Sequence, residues 1–414
     1  MAEKRRRLKE AAAAVALGAA LGAAPVQGAD TARVAEAIRA ELEALKSRIR
    51  ELEKQLAEQR RVEQEVKDLR REVRSAAEWK SPNTLIHMAG YADVGYTDTR
   101  SRTGTFGSGT FNPILHYQYR DVVMLESELA MSVDELGETT TELEYLTIDW
   151  FANDYVTVVA GKFLSPLGWF RQNLHPSWIN KLPSAPAGFG HDQAAPNAEV
   201  GVQVRGGVPV SGNGNRLIYA FYVGNGPAAE IESGEIEMIE TPGLGGDADG
   251  KKVFGGRLGL YFPGRRLELG LSGAAGRVGE IEEVGKSRKY TGVTRDYDFL
   301  GADFTWRPRQ FEVRGEWVRQ KVGDQPASSA PEGGTWQAWY LQGSYRFMPH
   351  KWEVVARLGR YRTPHSEVEQ KALGLNYIFA SNFVAKLAYE FNDDRGAESS
   401  GYEDRLLLQA SYGF

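Results

Sequence analysis

Short turns bracketed by aromatic residues alternate with long polar connections along this chain. Such turns stand at Ala152-Asn153-Asp154, at PGR from Pro263, at RPRQ from Arg307, at MPHK from Met348 and at ASN from Ala380. Phe151 and Tyr155 flank the first, Trp306 and Phe311 the third, Phe347 and Trp352 the fourth, Phe379 and Phe383 the last. The PGR turn has Phe262, with Leu267 opposite. The long connections are 225–250, 279–292, 323–334 and 392–402. Between turn and loop, apolar and polar residues alternate with the period of a strand, over segments long enough to cross a bilayer at a tilt. Aromatic rings prefer the headgroup level, where one end is apolar and the other can hydrogen-bond. A soluble sandwich has no reason to gather them at one end of successive strands. The asymmetry points to a transmembrane β-barrel.

Closure follows, because an open edge in lipid leaves backbone groups unpaired. The stretch FNPILHYQYRDVVMLESELAMSVD is too long for one strand, and a turn at Arg120-Asp121 divides it. The expected fold is therefore an antiparallel barrel of about 16 strands over residues 84–414, with both ends of the barrel on one side. In its final strand Leu406, Leu408, Ala410, Tyr412 and Phe414 face lipid, Phe414 within the aromatic girdle.

The residues before the barrel have a different period. EKRRRLK, an alanine-rich apolar run and APVQGAD form a secretory signal peptide over 1–29. Over 30–80 the chain is charged and free of Gly and Pro until Ser81-Pro82, and Ile38, Leu42, Leu45, Ile49, Leu52 and Leu56 follow a 4-3-4-3-4 spacing. That is a heptad seam. Spacing shortens at Gln59 and resumes through Val62, Val66, Leu69, Val73 and Ala76, a local overwinding. We expect a periplasmic α-helical coiled coil that self-associates.

Other classes find little support. A net charge of -5 offers nothing to nucleic acid, and the absence of Cys excludes disulfides and thiolate chemistry. No nucleophile and base can be paired, so no catalytic residue is expected and the chain is not read as an enzyme. The six His are scattered without ligand spacing, so neither a metal nor another cofactor is expected. Gly161-Lys162 lacks the upstream glycine of a phosphate loop. The acidic stretch 225–250 reads as a solvated surface loop.

GYADVGY in the first strand, GKFLSPLGWF and NLHPSWINKLP after the fifth, and the final YGF resemble the gram-negative outer-membrane porins. The resemblance covers 85–414 and is nearest to the phosphate-selective porin O/P type group, including relatives with an N-terminal coiled coil. It implies a homotrimer, a passive water-filled pore and a terminal aromatic read by the barrel-assembly machinery. The dense arginine track of a phosphate-selective member is not evident as a motif.

Placing the girdle aromatics outward fixes the inward residues. Basic ones are Lys162, Arg205, Arg257, Arg314, Arg346, Arg357, Lys386 and Arg405; acidic ones are Glu126, Glu128, Glu268, Asp303, Glu312, Glu316, Glu353 and Glu390. The connection 164–198 carries Trp169, Phe170, Trp178 and Phe189, which an exposed loop does not need. We expect it to pack against the inner wall as a constriction loop. Its charges are Arg171, Lys181 and Asp192, with His175 and His191, a basic excess that predicts a mild preference for anions. The alternative is that Arg171 and Lys181 pair with wall carboxylates, leaving no selectivity. The expected function is passive diffusion of small hydrophilic solutes, anions favoured, in a barrel held by outer-membrane lipid and lipopolysaccharide, its coiled coil reaching peptidoglycan. The rival is a structural tether or adhesin with little conductance.

Overall fold

The computed structural model describes residues 30–78 and 84–414, except 108, 134–136, 192, 242–246, 248, 285–286, 349 and 396–401. The expected leader 1–29 and Asp192 lie outside the described residues. The chain forms two units, divided after Pro82.

In the first unit, α1 (Asp30–Glu78) is one continuous helix. Its seam residues Leu42, Leu45, Ile49, Leu52, Leu56, Val62 and Val66 are all exposed in the single chain. No helix among the described residues is long and apolar enough to cross a membrane.

The second unit is one closed sheet. Its first strands are β1 (Thr84–Thr99), β2 (Thr105–Gly107), β3 (Thr110–Tyr119), β4 (Val123–Val133), β5 (Thr139–Asn153) and β6 (Val156–Leu164). Then come β7 (Ala198–Pro209), β8 (Arg216–Gly224), β9 (Ala228–Glu232), β10 (Glu235–Glu240), β11 (Val253–Phe262), β12 (Leu267–Val284) and β13 (Ser287–Trp306). The last are β14 (Phe311–Val322), β15 (Gly334–Phe347), β16 (Trp352–Arg362), β17 (Glu367–Ala380), β18 (Phe383–Asp394) and β19 (Arg405–Gly413). Sixteen are staves of an antiparallel barrel; β2 continues β3 beside β1, while β9 and β10 form an extra hairpin. β1 pairs with β19, Tyr91 opposite Gly413, and Gly90 and Phe414 exchange backbone bonds of 3.0 and 2.9 Å. A Cβ at Gly90 would stand 2.5 Å from the Asn112 carbonyl and 2.8 Å from the Phe414 ring, so the seam requires glycine.

The expected strand division holds. Arg120 adopts φ 50° and Val122 N–H closes onto the Tyr119 carbonyl, making a short turn between β3 and β4. Arg266, Arg309, Met348 and His350 are likewise left-handed at the short turns, the conformation that finishes tight hairpin loops. The aromatic girdle is continuous over one arc. Phe311 stacks on Tyr345 and Tyr345 on Phe347; beyond the Phe347–Trp352 pair, contacts run through Tyr377, Phe379, Phe383, Tyr412 and Phe414 to Phe111. Between this band and the long loops, Leu258, Leu271, Leu300, Leu341, Leu358, Leu373, Leu387 and Leu408 are exposed on the outer face. Such a contiguous apolar belt is stable only against lipid.

Two long connections differ from expectation. Instead of a polar loop at 279–292, β12 and β13 run on as a hairpin to the Val284–Ser287 pair, because alternate residues there pair across and support β9 alongside. The acidic stretch 225–250 is not simply solvated. Its β9–β10 hairpin buries Ile231, Ile236 and Ile239 inside the mouth while Glu232 and Glu235 face out. Those three isoleucines join Val253, Val278 and Ala330 in the apolar cluster inside the barrel.

Candidate functional site: the loop-crossed lumen

The connection after β6 folds into the barrel because its apolar residues have an apolar wall to meet. Tyr222, Tyr297, Phe299, Trp336 and Tyr340 point inward and are buried, and Phe163, Leu167, Trp169, Phe170, Leu174 and Phe189 pack into the same cluster. Phe170, Phe189 and Tyr340 meet edge to face, with centroids 5.0 to 6.2 Å apart. Polar fixings then set the loop's register. The Glu316 carboxylate accepts from the backbone N–H groups of Trp169 (2.7 Å) and Phe170 (2.9 Å) at the start of α2 (Phe170–Leu174). Trp169 Nε1 donates to Glu268, and Arg307 and Arg314 lie over its ring.

Farther along, Lys181 Nζ reaches Glu353 at 2.5 Å and Glu312 at 3.9 Å, and Asn376 donates to the Lys181 carbonyl. Burial draws the Lys181 ammonium down to about 8, and Glu353 pulls the other way. Arg357, wholly buried, donates to the carbonyls of Ser184 and Ala185 and to Glu390, which Arg405 also pairs. Lys386 donates to the Ser177 carbonyl, and Trp178 packs over Gly413. These contacts seal the loop against β12 and β14–β19.

Cavities remain between the loop and the opposite wall. A cavity of about 340 Å³ toward the short-turn end is lined by Ile114, Glu126, Glu128, Tyr145, His175 and Arg205, among others. One of about 410 Å³ toward the long-loop end is lined by Asp93, Thr110, Ser132, Glu142, Arg171 and His175, among others. His175 borders both. It stands 3.4 Å from Glu128, whose carboxylate also accepts from Tyr91 (2.8 Å) and Asn112 (3.3 Å). Arg171 crosses to Glu144 at 2.8 Å, with His191 3.4 Å from the same carboxylate. The space between this part of the loop and the wall of β1 and β3–β5 is narrow here, a gap bridged by the His175–Glu128 and Arg171–Glu144 contacts.

The expected site residues divide into four sets. Arg171, His175 and His191 gather at this gap with Glu128, and Glu126 and Arg205 lie just below it, Arg205 paired with Asp149. Arg257, Arg314, Arg357 and Glu316 face inward as expected but lie under the loop, at 8%, 2%, 1% and 5% exposure, so no solute reaches them. Arg257 is bound to Asp303 and Glu268, Arg314 to Glu312. Arg346 and Glu312 lie toward the short-turn end with Glu353 and Arg307. Lys162 donates to the Leu143 carbonyl and borders a third cavity, of about 370 Å³, with Glu142, Glu144 and Arg288.

The basic excess expected of the loop is cancelled in place: Arg171 is paired with Glu144 and Lys181 with Glu353. Glu144 was hidden from a reading by alternation, since Tyr145 takes the inward position. A bulge where β4 and β5 shift register turns both inward, at 7% and 8% exposure.

No family model matches the sequence, and no curated protein matches it. Solved structures do match. A loop L8 deletion mutant of OmpT, an outer membrane protein of Vibrio cholerae, aligns at TM-score 0.54 and 12% identity over 80% of this chain and 100% of that one. In-vitro folded OmpT of Vibrio cholerae in its trimer form aligns at 0.53 and 12% identity, covering 80% and 100%. An anion-selective porin from Comamonas acidovorans aligns at 0.53 and 14% identity, with the same coverage. At these identities the likeness establishes the fold, a closed sixteen-stranded barrel of the porin kind.

Proposed function

We propose that the chain is an outer-membrane porin through which small hydrophilic solutes diffuse passively. The observation that carries this is the pair of cavities, both bordered by His175 and by polar side chains, between the loop and the wall of β1 and β3–β5. Short turns face the periplasm in this reading, and the outer belt meets lipid and lipopolysaccharide. Three copies assemble as the trimer form of the Vibrio protein does, and the exposed seam of α1 associates in the periplasm, within reach of peptidoglycan. Kinship to the phosphate-selective group rests on the GKFLSPLGWF and NLHPSWINKLP stretches.

The sign of selectivity is the finer part of the proposal. An anion lean required Arg171 and Lys181 to be free, and each is held by a carboxylate. The anion-selective Comamonas porin shares only the fold. Glu126, partly exposed on the cavity wall, has only His116 and Tyr145 as partners in the described contacts, so it presents its carboxylate to a passing solute, while Glu128 is buried. A weak cation preference follows, since a narrow water-poor passage strengthens charge effects. Conductance and reversal potential in planar bilayers across a KCl gradient test both parts. Steady current with a mildly potassium-leaning potential supports them. A chloride-leaning potential restores the anion reading, and a folded protein without current turns the assignment to a tether.

A further inference from the structure

We propose that His87 and His116 form a binding site for a divalent transition ion on the lumen wall, near the short-turn end. The two are 29 residues apart in sequence and directly opposite in the β1–β3 register. Both lie on the inward phase, that of Tyr91 and Asn112. Their Nδ1 atoms face each other at 3.2 Å. The ring planes differ by 15° and the centroids are 5.5 Å apart, little more than the N···N distance with a ring radius at each end. The rings therefore meet edge to edge, nitrogen toward nitrogen, rather than face to face.

Two nitrogens bound at about 2.0–2.1 Å to one ion stand roughly 3 Å apart when adjacent in the coordination sphere. The observed separation is close to that value, and a ring must turn before the two lone pairs converge on one point. His87 is exposed, so its ring is free to turn and bring both lone pairs onto one ion. His116 is prepared for the role by its other nitrogen. Nε2 lies 3.2 Å from Glu126, which also accepts from Tyr145 OH at 3.4 Å. A proton held between Nε2 and that carboxylate leaves the Nδ1 lone pair facing His87. Imidazoles that bind metals are oriented by just such a carboxylate.

No group of three or more potential ligands gathers among the described residues, so water completes the sphere. The site is accordingly open and exchangeable. Two imidazole nitrogens favour Cu²⁺ over Ni²⁺ and Zn²⁺ and offer little to Ca²⁺ or Mg²⁺, which require oxygen cages.

The test is a Cu²⁺ titration of the folded, untagged full-length barrel in detergent, by calorimetry and electron paramagnetic resonance. One saturable ion per chain with two equatorial nitrogens is expected. His87→Ala should leave at most one nitrogen and lose the saturable one-ion-per-chain binding, since a chelate becomes a single imidazole. Glu126→Gln keeps both ligands and should weaken binding by about 10- to 100-fold. His87 is exposed, so its variant keeps the fold, and heat-modifiable migration verifies this. Absence of stoichiometric binding, or binding unchanged in His87→Ala, overturns the site and leaves His175, His191, His350 or His365 as the source of any residual affinity.

Discussion

The Glu316 carboxylate offers a direct way to ask what the loop does. It lies under the loop, and its two oxygens receive the N–H groups of Trp169 and Phe170 at 2.7 and 2.9 Å. Hydrogen bonds contribute about 0.5–1.5 kcal/mol each, so Glu316→Leu removes roughly 1–3 kcal/mol of attachment. At about 1.4 kcal/mol per decade, that shifts the docked-to-released balance by roughly one to two powers of ten. The aromatic contacts of Phe170 and Phe189 with Tyr340 oppose release, so the loop is expected to loosen at α2 while remaining attached beyond Lys181. Glu316→Gln keeps an acceptor for one N–H and turns an amide donor toward the other, giving an intermediate effect. Single-channel conductance should rise in the order wild type, Gln, Leu, and limited proteolysis should open sites within 165–197 in the same order. Equal conductance and equal protease resistance in Glu316→Leu would refute the view that this carboxylate holds the loop against the wall.

Arg357→Met removes a wholly buried cation that ties Ser184 and Ala185 to Glu390. Breaking such a pair costs about 3 kcal/mol here, the low end of the usual range because Arg405 still serves Glu390. The midpoint of urea unfolding in detergent should fall accordingly, and a loss below about 1 kcal/mol would contradict the assignment. Deleting residues 31–79 removes the exposed seam of α1. The proposed trimer should then dissociate in detergent at a lower temperature on native gels, and unchanged resistance would remove the helix from the assembly's stability.

The barrel was legible in the sequence because lipid enforces two strict regularities, alternation along each strand and aromatics at one end. Both could be read locally, down to the turn at Arg120. The inward phase of Arg205, Arg257, Arg314 and Arg357 followed from the same rule. The identity of their partners did not, since it depends on which strand lies beside which. Arg257 meets Asp303 only because β11, β12 and β13 are consecutive staves, and Lys181 meets Glu353 only because the loop crosses the lumen. Trp169, Phe170 and Phe189 signalled that crossing, since no exposed loop keeps such residues. The β9–β10 hairpin gave a weaker signal, its isoleucines diluted among glutamates. The bulge that turns Glu144 inward breaks the alternation itself, so no reading by period could place it. His87 and His116 carry no local mark at all; their meeting is purely a matter of register.

The pairing of β1 with β19 also governs the order of events in folding. Tyr91 and Gly413 are neighbours in space and lie at opposite ends of the barrel sequence. Every other stave can zip onto a chain neighbour as a local hairpin, but this contact awaits all the rest. Until it forms, both terminal edges are bare and poorly suited to a bilayer. Such a topology has a slow, late step, with the loop-closure entropy of the whole barrel concentrated in one ladder. A chain of this kind therefore completes its fold in a single late joining of its two ends, and a change at Gly90 or Phe414 acts on that joining rather than on the hairpins before it.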